Sequence, residues 1–132
     1  MSPNPEDHSS LESIFSHSKW GLYKADRLTV ALRSLQEQEI GVVLCERDLA
    51  PGTWTDVLEQ ISVLPDAPPL IVTSRLADER LWAEALNFGV YDVLAKPFDR
   101  AEVVRSVSLA WLHWLRRNEY SVRRQRALRA AS

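Results

Sequence analysis

Three short apolar runs in this chain each end in a polar residue, and a helical pattern follows each of them. Val42-Val43-Leu44-Cys45 ends at Glu46, Leu70-Ile71-Val72 ends at Thr73, and Val90 to Ala95 ends at Lys96, with Pro97 next. Runs this short and β-branched, without polar alternation, suit strands buried on both faces, the condition of a parallel sheet covered by helices. Alternation of strand and helix predicts an α/β fold, a doubly wound parallel sheet with right-handed crossovers. Open sheets of this kind hold their ligands at the carboxyl ends of the strands. Glu46, Thr73 and Lys96 are therefore the candidate site residues.

The remaining elements follow from periodicity and punctuation. Met1 to His8, with Pro3 and Pro5, reads as a loop, and Ser9 to Ser16 as a short helix with Leu11, Ile14 and Phe15 on one face. Trp20 to Ala25 alternates and predicts a strand. Leu28, Ala31, Leu32 and Leu35 predict a helix. Asp48 to Thr53 reads as a turn around Pro51-Gly52. Trp54, Val57, Leu58 and Ile61 mark the next helix, and Leu81, Ala85 and Phe88 another, with Gly89 suited to an αL cap. Asp99 and Glu102 form a capping-box-like start to a long last helix that buries Val103, Val107, Trp111 and Trp114. Past Leu115 the apolar face fades, which predicts a helix running on into solvent. The expected organisation is a domain over 1–115 and a basic helical extension or tail over 116–132.

The 132 residues fit one domain. A single cysteine, Cys45, allows no internal disulfide and points to a reducing compartment. No apolar run approaches the roughly 18–20 residues of a membrane span, and no charged-then-apolar leader opens the chain. The expected location is the cytoplasm, with no membrane partner. His8, His17 and His113 lack metal-ligand spacing, and no metal or cofactor is expected. No triad, Gly-rich phosphate loop or metal cluster suggests an enzyme. The tail carries Arg116, Arg117, Arg123, Arg124, Arg126 and Arg129 against Glu119 alone, a charge pattern open to nucleic-acid phosphates as well as to solvent.

These residues resemble a receiver domain, the regulatory domain of bacterial two-component response regulators. Val42 to Glu46 with Arg47 to Gly52 is similar to the phospho-acceptor strand and its loop. Ile71-Val72-Thr73-Ser74 is similar to the strand that ends in the switch Thr/Ser, and Gly89 to Phe98 to the final strand and its Lys-Pro turn. The resemblance reaches to about Trp114. It implies a flavodoxin-like fold of five parallel strands in the order 2-1-3-4-5.

Three departures bear on function. Glu46 stands where the resemblance implies an acceptor Asp. Ser2 and Pro3 stand where it implies an acidic pair that binds Mg²⁺. The family's first strand is missing or truncated, because Met1 lies where that strand should end. An open sheet edge is then expected, closed by the second strand, by another chain, or not at all. Glu is one methylene longer than Asp, which misplaces it as a nucleophile, but it can pair directly with Lys96. The leading expectation is a stand-alone, atypical receiver in phosphorelay signalling that acts as a phosphorylation-independent protein-interaction module. Its contact face, by resemblance, includes Arg80, Glu84, Tyr91, Arg100 and Arg105, and serves a protein partner or a homodimer. The alternatives are a basic-tailed nucleic-acid-binding protein using Arg116, Arg117, Arg123 and Arg124, and a phospho-accepting receiver that uses Asp48, placed with Thr73 and Lys96 in the pocket.

Overall fold

The apolar runs form the centre of the molecule. In the computed structural model, which describes residues 1–16, 18–49 and 52–131, Val43–Glu46 (β1), Leu70–Ser74 (β4) and Asp92–Ala95 (β5) make a parallel sheet in the order β1-β4-β5. Cys45 pairs with Val72, and Val72 with Val93. These residues are buried, as expected of strands with helices on both faces. One apolar cluster joins the sheet to Trp54, Val57, Ile61, Leu81 and Ala85; the other joins Ile71 and Leu94 to Leu11, Phe15, Val103, Val107 and Ala110.

The helices are Pro5–Phe15 (α1), Leu28–Glu37 (α2), Trp54–Ser62 (α3), Glu79–Asn87 (α4) and Arg100–Ala131 (α5). Local chemistry sets their starts. The Thr53 N–H donates to Asp56 at 2.8 Å ahead of α3, and Asp78 accepts the Leu81 N–H at 2.9 Å to cap α4. Gly89, at φ +96°, follows α4 in a conformation that only glycine adopts without strain.

Four expectations need correction. The first helix starts at Pro5, not Ser9, because Pro suits the first helical position, where its missing N–H costs nothing. Among the described residues Trp20 to Ala25 belongs to no strand ladder, and the Ser2 N–H donates to the Ala25 carbonyl at 3.0 Å. The five-stranded order is not formed: among the described residues the parallel sheet has three strands. The expected turn over Asp48 to Thr53 has arms of its own, Asp48–Leu49 (β2) paired antiparallel with Gly52–Thr53 (β3). Ala50 and Pro51 of that turn, and His17, lie outside the described residues.

The last helix continues far past Leu115. Val103, Ser106, Val107, Ala110 and Trp114 hold its first half against the domain. Ser106 Oγ donates to Asp92 at 2.5 Å, and Trp114 Nε1 donates to the Asp66 carbonyl at 3.0 Å. Beyond Asn118 the described side chains are exposed.

Candidate functional site

Parallel register delivers the three strand ends to one edge. Glu46 pairs with Thr73, Thr73 with Leu94, and the Lys96 N–H donates to the Ser74 carbonyl at 3.0 Å. Glu46 and Lys96 thus flank β4 from its two neighbours. The Lys96 ammonium crosses that gap and pairs directly with the Glu46 carboxylate. It also pairs with Asp7 at 2.5 Å. The three charged side chains are nearly closed to solvent, at 6% exposure for Lys96, 10% for Asp7 and 9% for Glu46. Thr73 Oγ1 lies 3.4 Å from Glu46, as a long hydrogen bond to the same carboxylate oxygen that faces Lys96.

Asp7 comes from the first turn of α1, where the helix dipole favours a carboxylate. Its second support is Ser2, whose hydroxyl donates to Asp7 at 2.6 Å, and Ser2 in turn accepts the Asn4 N–H at 3.1 Å. Burial by itself would raise the Asp7 pKa. The hydrogen bonds from Lys96 and Ser2 outweigh it and hold the carboxyl below its ordinary value. Cys45, one residue before Glu46, is fully buried; burial pushes its thiol up to about 12, and the neighbouring Glu46 charge adds to the rise. It is a small core residue here.

Two of the sequence-selected residues thus meet through an ion pair, and Thr73 joins them. Asp48 does not. Its side chain is 78% exposed and its nearest cation is Arg47 at 3.8 Å, because β2 carries it out of the pocket at once. Arg80, Glu84, Arg100 and Arg105 are exposed on α4 and α5, while Tyr91 is half-buried with its ring 5.7 Å from that of His113. Arg116, Arg117, Arg123 and Arg124 are exposed on the outer part of α5. Asp7 is the member that sequence reading overlooks. It is 89 positions from Lys96, in a proline-rich segment that reads as a loop. The signal available was an acidic residue two positions after Pro5, which is where a helix starting at Pro5 places its first-turn acids.

The resemblance implies a Mg²⁺ ion at this edge, and the donor set does not suit one. Asp7 and Glu46 are hard oxygen donors, but one ammonium already bridges them, and Ser2 and Pro3 add no charge. Among the described residues no group of three or more His, Cys, Asp or Glu side chains is disposed to hold a metal ion.

Comparison with known proteins gives a consistent result. Residues 4–108 match the response regulator receiver domain family. The transcriptional regulatory protein ZraR of Escherichia coli K12 is 31% identical over 85 residues, which are 63% of this chain and 19% of that protein. The chain therefore spans about a fifth of that relative. The signal receiver domain of an HD domain-containing protein from Pseudomonas fluorescens Pf-5 superimposes with a TM-score of 0.80 at 25% identity, covering 89% of this chain and 88% of that one. The signal receiver domain of a putative LuxO repressor protein from Vibrio parahaemolyticus gives 0.81 at 13% identity, covering 90% and 92%, a likeness of fold. The chain belongs to the response regulator receiver domain family of two-component signalling.

Proposed function

We propose that this receiver domain works without regulated phosphorylation, as a protein-interaction module whose acceptor pocket is closed by its own charges. The observation that carries the reading is the buried Lys96 ammonium held between Glu46 and Asp7. Phosphoryl transfer to a carboxylate needs a free nucleophile in line and a cation on the phosphoryl oxygens. Here the carboxylate at the acceptor position is neutralised from within, and the cation that would meet a phosphoryl group is engaged. Glu46 paired with Lys96 is a weak imitation of an acyl phosphate, since one carboxylate carries less charge than a phosphoryl group. Output then passes through surface contacts, for which Arg80, Glu84, Tyr91, Arg100 and Arg105 are the candidate face toward a protein partner or a second copy. The test is incubation with acetyl phosphate and Mg²⁺, followed by intact-mass measurement. The expected result is no added phosphoryl group. A stoichiometric mass gain that disappears in Asp48→Asn or Glu46→Gln would overturn the proposal.

A further inference from the structure

The part of α5 beyond Leu115 carries charge that the domain does not use. Residues 116–132 hold six arginines and one acid, Glu119, in a chain whose overall charge is −2. Arg116, Arg117, Arg123 and Arg124 are exposed. Among the described residues no hydrogen bond or ion pair engages any of these four. Successive residues of a helix turn by about 100°, which places the four arginines and Tyr120 on one arc about 120° wide. Arg116 and Arg123 stand along one edge of that arc and Arg117 and Arg124 along the other, each pair about 10 Å long. Tyr120 lies at the centre of this rectangle, midway in height and in angle, and is 68% exposed. His113, Arg116, Arg117 and Tyr120 line a shallow surface groove there.

The pattern fits a polyanion that has flat faces. Guanidinium groups hold phosphates. An exposed ring among them offers a platform for a base, and stacking there is tolerant of sequence. A carboxylate-rich protein would engage the arginines and leave the ring without a task. A helical partner or a lipid surface needs a continuous apolar seam. Tyr120, Val122 and Leu128 are the exposed large apolar residues of this stretch, and they point about 80–160° apart around the helix, so they form no seam.

We infer that the outer part of α5 binds single-stranded nucleic acid without sequence preference, with phosphates on Arg116, Arg117, Arg123 and Arg124 and a base stacked on Tyr120. The strand runs along the helix axis, so that the two arginines at each end of the rectangle grip the backbone on either side of the stacked base. Single strands fit this surface because their base faces are open to the ring, whereas a duplex covers them. The inference is independent of the state of the Lys96 cluster.

The test uses the intact chain and a fluorescein-labelled oligothymidylate of about 15 nucleotides, read by fluorescence anisotropy. The expected result is saturable binding whose affinity falls about 50-fold between about 50 and 200 mM salt, the dependence of four phosphate contacts on a single strand. Arg117→Gln combined with Arg124→Gln should reduce that fall to about sevenfold. Tyr120→Ala should weaken binding by at least about fivefold with the salt dependence kept, and Tyr120→Phe should bind as the wild type does. All these side chains are exposed, and an unchanged urea midpoint verifies that each variant is folded. Three results would overturn the inference: no anisotropy change up to about 100 μM protein at the lower salt, full affinity in Tyr120→Ala, or displacement of the oligonucleotide by polyglutamate as readily as by unlabelled oligothymidylate, which would mark a site for acidic protein.

Discussion

Replacing Lys96 by Met keeps an unbranched side chain, one heavy atom shorter, and removes the charge together with the N–H donors. Two carboxylates, Asp7 and Glu46, then face one another with no cation between them. At an effective dielectric constant of about 20, one carboxylate–ammonium contact near 4 Å is worth about 4 kcal/mol before desolvation is counted. Lys96 makes two, but its own desolvation offsets part of the gain. Removal of one partner from a buried ion pair usually costs about 3–5 kcal/mol, and that is the loss expected at pH 7. It is a large share of the roughly 5–15 kcal/mol that holds a domain together. The loss also carries a pH signature. In the variant, Asp7 loses the Lys96 hydrogen bond and charge that hold its pKa down, while the burial that raises it remains. The variant therefore gains stability as pH falls from 7 toward 5, where the wild type does not, and the gap between them narrows. Urea unfolding followed by tryptophan emission at both pH values measures this, with m unchanged as the check on a common unfolded state. A cost below about 1 kcal/mol at pH 7, or a gap that stays constant with pH, would refute a buried, charge-compensated cluster.

Other outcomes follow from the same geometry. Asp7 is held below its ordinary pKa, so its contribution is fully present above the unfolded value of about 3.9 and is lost as pH falls through the lower folded value; acid unfolding of Asp7→Asn should lack that part of the transition. Cys45, with its thiol pushed up to about 12 and no solvent access, should resist a thiol reagent at pH 8 in the native protein and react at once in urea. Truncation after Glu119, which keeps Trp114 and Asn118, should cost less than about 1 kcal/mol by chemical unfolding, since the described side chains removed are exposed.

The strand ends were legible because their information is local. An apolar run that stops at a polar residue before a helix start announces its own place at the carboxyl edge of the sheet, and Glu46, Thr73 and Lys96 were found in that way. Asp7 was not, because its role depends on a contact made across 89 positions, and nothing in Asn4-Pro5-Glu6-Asp7 distinguishes a buried acid from a solvated one. Asp48 shows the converse. Being two residues from Glu46 in sequence says little about direction once β2 turns the backbone outward. Trp20 to Ala25 carries strand-like alternation, but a ladder needs a neighbour, and Met1-Ser2 supplies one rung only. Alternation reports which faces a segment would bury, while pairing depends on what lies alongside.

The long last helix has a mechanical consequence. Its 32 residues span about 48 Å, and the stretch beyond Asn118 overhangs the domain by about 20 Å. Its anchor includes Ser106, which is bound to Asp92 at the start of β5, and β5 leads directly to Lys96. The overhang is a rigid pointer with its pivot on the strand that carries the site lysine. Ser106 lies about 38 Å from the helix end, so a tilt of about 10° at this pivot moves the tip by about 6–7 Å. Helix length alone thus magnifies any tilt at the Ser106 anchor into a larger shift of the arginine-bearing end.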